Sequence, residues 1–256
     1  MVASVYDFKD FYNTRLGRIT RRILNARIAE IWSDCKGLRV MGVGYAVPFL
    51  RNFSNDTERT FVMMPAGAGV HHWPDRDGEK NLAALSEQYE LPIETNSIDR
   101  VIMAHDLEHC EFLDSNLSEI WRVLKSNGRL LIIAPNRAGV WARSDKTPFG
   151  QGQPFSVAQL NNLLRDNQFV HERTEEALFM PPVTYPLILK FANLFEKIGR
   201  TAFPIVAGVH IIEVSKQLYA RADKGSGSPV TERAKRILMP KPATSSPRGY
   251  RDRHRP

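Results

Sequence analysis

Three stretches of this 256-residue chain hold residue types that can do chemistry. The first is Gly42-Val43-Gly44-Tyr45-Ala46, set between Arg39-Val40-Met41 and Pro48-Phe49-Leu50. A short apolar strand that ends in glycines and feeds a helix can turn bare backbone N–H groups toward a nucleotide-like cofactor. The dinucleotide spacing G-x-G-x-x-G breaks at Val47. Both glycines also suit a tight turn with nothing bound. The second stretch is His105-Asp106-Leu107-Glu108-His109, spaced H-x-x-E-H. On a helix this would put two imidazoles one turn apart, as a metal site requires. Here it directly follows a strand, and no third ligand stands at a telling spacing, so no metal is expected. His105 has the side-chain type suited to a general base near neutral pH.

A third stretch, 136–155, has no clear element of its own. Long structureless loops in compact domains are usually functional or disordered. Trp141, Phe149 and Phe155 among Arg143, Asp145 and several Gln and Thr residues make a binding composition. It reads as a lid over a binding site, with Trp141 and Arg143 as substrate contacts, Arg143 as an anion anchor and Asp145 as a second candidate base.

These residues need a frame to hold them. Residues 7–33 carry Phe8, Phe11, Tyr12, Leu16, Ile19 and Ile23 at helical spacing and read as one amphipathic helix. Strands are expected from Arg39 into the glycine turn at Gly42–Ala46, and over 60–65, 81–85, 99–104, 129–135 and 206–214. Helices are expected from Pro48, over 113–124 and from Ser156, where Gln159 completes a capping box. Asn127-Gly128 ends the second of these, with Gly128 in the left-handed conformation. Arg129-Leu130-Leu131-Ile132-Ile133-Ala134-Pro135 is almost wholly apolar, which suits a strand buried on both faces. Strands alternating with helices predict a parallel α/β sheet covered on both sides. Ligands bind such sheets at the carboxyl ends of the strands. That rim would carry Gly42–Val47, Met64–Gly67, Ala84–Glu87, Ala104–His109 and Pro135–Val140.

Three segments carry a family resemblance. Leu91-Pro92-Ile93-Glu94-Thr95-Asn96-Ser97-Ile98-Asp99-Arg100-Val101 resembles the LPFPDNSFDVV segment of class I S-adenosylmethionine (SAM)-dependent methyltransferases of the type 11 group. Leu107-Glu108-His109 is similar to their LEH, and Trp121-Arg122-Val123-Leu124-Lys125-Ser126-Asn127-Gly128-Arg129-Leu130 to their hRVLKPGGRL. Order and spacing agree over roughly residues 37–170. The resemblance implies a Rossmann-like parallel sheet with helices on both faces and an antiparallel last strand. It also implies SAM as cofactor and methyl transfer to an undefined acceptor, a small molecule or a protein. Gly42, Gly44 and Tyr45 would hold the cofactor, Met64 would end the ribose-side strand, and Glu87 would face the adenine. Ala104 and His105 would lie near the sulfonium, with His105 or Asp145 taking the acceptor's proton. The first motif is degenerate. Gly42 stands where the family has an acid, Ala46 and Pro48 replace two glycines, and Met63-Met64-Pro65 replaces the ribose carboxylate. The alternative is therefore a non-catalytic relative kept as a binding or regulatory subunit. His71-His72-Trp73 is open between a ring stack on adenine or acceptor and a plain surface loop.

The remaining features place the chain more broadly. The net charge is +7, but residues 223–256 hold nine Lys/Arg against three Asp/Glu, so the basic balance belongs to the tail. A folded nucleic-acid binder does not follow from it. Two distant cysteines and seven methionines suit a reducing cytoplasm. No signal peptide and no membrane-spanning segment are expected. Three parts result: an N-terminal helix over 1–36 packed on the core, a methyltransferase-like domain over 37–222, and a basic, mostly disordered tail over 223–256. Within the second, the segment 177–195 becomes apolar nearly all round from Tyr185 to Phe195. It interrupts the final hairpin and could cover the acceptor pocket, touch a membrane surface, or form a homodimer or partner interface.

Overall fold

The computed structural model describes residues 4–53, 56–75, 78–202 and 204–217. The basic tail lies outside them. The chain opens with two helices, α1 (Val5–Asn13) and α2 (Arg15–Ile31), where one was expected. Thr14 separates them. Its backbone is extended, and its hydroxyl donates to the Phe11 carbonyl (2.7 Å) while accepting from Gly17 N–H (3.0 Å), so it caps α2. Ser4 and Asp7 form a capping box on α1. Gly17 is needed at the corner, because a Cβ there would run into the Phe11 carbonyl.

The body is one seven-stranded sheet of β1 (Arg39–Gly44), β2 (Arg59–Pro65), β3 (Ala83–Ser86), β4 (Ile98–Ala104), β5 (Leu124–Pro135), β6 (Phe169–Ala177) and β7 (Val209–Lys216). Their order is β3-β2-β1-β4-β5-β7-β6. The first five strands are parallel, and β7 runs antiparallel to both β5 and β6. This is the class I methyltransferase architecture implied above. Alternation along the strands makes two cores. Val40, Ile102, Leu131, Ile133 and Ile211 meet α1, α2 and the short α3 (Val47–Leu50) on one face. Met41, Val101, Met103, Ile132 and Val214 meet α4 (Leu113–Val123) and α5 (Val157–Asp166) on the other.

Several boundaries move. β3 begins two residues late, because Asn81 is spent on a turn where its Oδ1 accepts from Trp73 N–H and Ala83 N–H. β5 begins five residues early, directly at the end of α4, and the left-handed residue is Asn127 (φ 64), not Gly128. β6 has no apolar alternation to betray it. His171, Glu172 and Arg173 are exposed along an edge strand, where charge protects an unpaired side. The insertion between β6 and β7 forms α6 (Pro186–Lys190) and α7 (Ala192–Ala202). Among the described residues no helix is long and apolar enough to cross a membrane.

Candidate functional site

The strand order reverses between β1 and β4, and ligands of doubly wound sheets sit at that switch point. Here the two strand ends touch. Gly44 is left-handed (φ 72), and a Cβ on it would collide with the Ala104 carbonyl and come within 2.6 Å of Asp106 Cβ. Tyr45 N–H donates to the Ala104 carbonyl (2.8 Å). Gly42 points the other way: a Cβ there would meet Leu50 of α3, Ala46 just before it and Val62 of β2.

Above Gly44 and Ala104 sits a layer of buried rings. Phe8 from α1 stacks on His105 with centroids 4.9 Å apart, and Phe149 from the 136–155 loop lies 4.8 Å from the same imidazole. The Tyr12 hydroxyl and His105 Nε2 are 2.8 Å apart. Tyr45 packs against Phe8 and Tyr12 at 5.4 and 6.0 Å. Burial holds the Tyr12 and Tyr45 phenols well above their ordinary pKa. His105 is itself left-handed (φ 51), a backbone state that costs free energy and is held by this packing. Its Nδ1 lies 3.3 Å from Glu108 Oε1, off the line of a hydrogen bond. Glu108 is buried, and neither carboxylate oxygen has a hydrogen bond among the described residues.

Beside this layer, toward the carboxyl ends of β2, β3 and β4, opens a cleft of about 300 Å³. Pro65, Gly67, Glu87, Gln88, His105 and Phe112 are among its walls. Behind it Asp106 is fully buried, accepting from Gln88 Nε2 (2.8 Å) and Asn116 Nδ2 (2.7 Å). Burial pushes its carboxyl up to about 6 against the pull of those two donors. His109, on the same wall, is pushed down by burial.

The structure thus brings Gly44, Tyr45, Ala104 and His105 together at the switch point and sets Glu87 on the adjoining cleft. Met64 is wholly buried in the core, one residue before the cleft edge at Pro65. Trp141 is also buried, its Nε1–H donating to the Met180 carbonyl (2.7 Å), so it anchors the loop. Arg143 and Asp145 stand on the outer surface. His105–His109 makes a 3₁₀ turn over Leu107–His109 in place of an α-helix. Trp73 is buried and His71 mostly so, with His71 5.8 Å from the Tyr45 ring. Phe8 and Tyr12 were not foreseen as site residues. Their signal was present as aromatic side chains on the first helix, but only the tertiary fold shows that this helix lies over the switch point.

These dimensions test the fit of the implied cofactor. The cleft lies at the low end of ligand pockets, which run from about 300 Å³ upward. It suits a nucleoside, with Glu87 and Gln88 as polar partners. Beside Gly44 and Ala104, where the resemblance would put the amino-acid end, Phe8, Tyr12 and Tyr45 pack against one another and against His105.

Comparison with known proteins agrees with this geometry at the level of the fold. Residues 41–132 match a family model described as a methyltransferase domain, of the type 11 group. This span runs from β1 into β5 and includes the switch point. No curated protein matches the chain in sequence. Among solved structures, a SAM-dependent methyltransferase from Thermotoga maritima is 15% identical with a TM-score of 0.54, covering 83% of this chain and 96% of its own. One from Archaeoglobus fulgidus is 18% identical with a TM-score of 0.55, covering 81% and 97%. The [4+2]-cyclase SpnF is 21% identical with a TM-score of 0.53, covering 78% and 81%.

Proposed function

We propose that the chain is a SAM-dependent methyltransferase whose cofactor groove is closed by its own first helix. The observation that carries this reading is the position of the cleft. It opens at the carboxyl ends of β2, β3 and β4, inside the span that matches a methyltransferase domain. Adenosine would take the cleft beside Glu87 and Gln88. Release of α1 would bare the Gly44–Tyr45 backbone, Ala104 and His105 for the amino-acid end. Once the Tyr12 hydroxyl leaves Nε2, His105 is free to accept a proton from an acceptor. Asp145 is the second candidate base, and Arg143 an anion contact on the acceptor side. Trp141 would act in acceptor binding by holding the loop that carries them. The methyl acceptor is a small molecule or a protein, and the setting is the cytoplasm.

A second reading is a non-catalytic binding subunit. The ring packing at the switch point favours it, as does the want of a carboxylate at Met63-Met64-Pro65. A carboxylate holding ribose hydroxyls makes charge-assisted bonds roughly twice as strong as neutral ones. Fold alone does not choose, since SpnF shares this fold and is a cyclase. Calorimetry of the full chain with SAM and with S-adenosylhomocysteine decides. Binding that Gly44→Trp abolishes supports the first reading. No heat with either ligand at millimolar concentration sinks it.

A further inference from the structure

The α6–α7 insertion carries an apolar face that the rest of the described chain does not cover. Leu187, Phe191, Leu194 and Ile198 recur at helical spacing along it and are all exposed, Leu187 by 68%. With Phe179 and Val206 they border an open groove of about 550 Å³. Tyr185 and Ile205, exposed by 69% and 75%, extend the face at its two ends. Exposed aromatic and aliphatic side chains gathered on one face of a folded domain point to an interaction site.

Charge on this insertion is one-sided. Its acid, Glu196, is turned inward, where its carboxylate accepts from Leu178 and Phe179 N–H. Lys190 and Lys197 are exposed on its surface, and no described residue pairs with them. Arg200 is also exposed but partly engaged by Glu30 and Glu175. Protruding aromatic and aliphatic side chains flanked by lysines, with no outward acid, form the composition of a helix lying in a bilayer interface. Residues 223–256 add nine Lys/Arg against three Asp/Glu. Stable anchoring takes two signals, such as an apolar one and a polybasic one.

We infer that the α6–α7 face docks on an anionic phospholipid surface, inserting Leu187, Phe191, Leu194 and Ile198 while Lys190 and Lys197 meet the headgroups. This stands on the surface alone and is independent of whether SAM binds. The test is co-sedimentation of the full chain with phosphatidylcholine vesicles, with and without phosphatidylglycerol. Binding is expected to the anionic vesicles and to weaken with salt. Leu187→Asp and Leu194→Asp should each weaken it by about tenfold or more, since each removes a leucine that would insert into the bilayer. Lys190→Glu should weaken it by at least roughly fivefold. These positions are exposed, and unchanged thermal melts confirm folding. Equal binding to neutral and anionic vesicles, or binding to neither, overturns the inference. So does a dimer in sedimentation equilibrium that Leu194→Asp dissociates, which would assign the face to a second copy. Stronger vesicle binding after removal of 218–256 also overturns it, because the tail itself would then be the occupant.

Discussion

At the scale of single residues, the contact between the Tyr12 hydroxyl and His105 Nε2 ties α1 to the switch point. Both groups are buried, so losing one leaves the other unpaired. Tyr12→Phe should therefore cost on the order of 1–2 kcal/mol of stability, read by urea denaturation. If SAM enters by displacing α1, the same substitution weakens the closed state, and apparent SAM affinity should rise by up to about tenfold. Loss of stability with unchanged or weaker SAM binding would separate a packing role for α1 from a gating one. Glu213 is a second such residue. Its Oε1 accepts from Trp32 Nε1 and Arg129 Nη1, each at 2.8 Å, joining the end of α2 to the sheet. Glu213→Leu strands the buried Trp32 donor, while Arg129, 38% exposed at its side chain, can turn to water, so the loss should be about 1–3 kcal/mol in the same measurement.

Elements decide whether the site is open. The corner at Thr14 sets the angle between α1 and α2, and that angle lays Phe8 and Tyr12 against His105. Gly17→Ala drives a methyl into the Phe11 carbonyl and must push α1 off α2. Overpacking of this kind costs about 1–3 kcal/mol. Limited proteolysis should then cut within residues 5–14 faster than in the parent chain. An unchanged digestion pattern would mean that α1 is held by its ring contacts and not by the corner. The 136–155 loop is pinned in a comparable way, through Trp141 to Met180 and Phe149 to His105. It is a fixed wall at those two points, while Arg143 and Asp145 between them face solvent.

Across the whole molecule, pH dependence is set by buried groups of opposite sign. His210 is buried in β7, and burial pushes its imidazole down to about 4 from 6.5. Glu176 Oε1 lies 3.8 Å away, but that carboxyl is itself pushed up by burial and by Glu175, so it offers little countercharge in acid. Between those two pH values the unfolded chain takes up a proton and the fold does not. Stability from His210 is complete above pH 6.5 and is lost as pH falls toward 4, on the order of 3 kcal/mol in all. Asp106 acts the other way. Its carboxyl is raised to about 6 from 3.8, so its contribution is complete below pH 3.8 and is lost as pH rises through about 6. The two oppose each other between pH 4 and 6. His210→Phe removes one side only. Between pH 7 and pH 4.5 the parent should lose about 2–3 kcal/mol more than this variant in urea denaturation. Parallel losses in the two proteins would place His210 in a solvated setting.

Much of the architecture was legible in the chain because it depends on local pattern. The apolar run 129–135, the strand into Gly42-Val43-Gly44 and the capping box at Ser156 each fix an element through a period of 2, a turn or a cap, and each was found. The edge strand β6 was missed because its side chains answer to solvent and not to a core. The break at Thr14 was missed because apolar spacing continues across it, while the cap that ends α1 is a single hydroxyl. For the candidate site, sequence alone determined which residues gather at the strand ends: Gly44, Tyr45, Glu87, Ala104 and His105 all follow from strand order. It could not determine what covers them. That Phe8 and Tyr12 pack on His105 at the end of β4 is a contact between residues far apart in the chain. No local period or spacing encodes such contacts, and only close packing of the whole fold settles them.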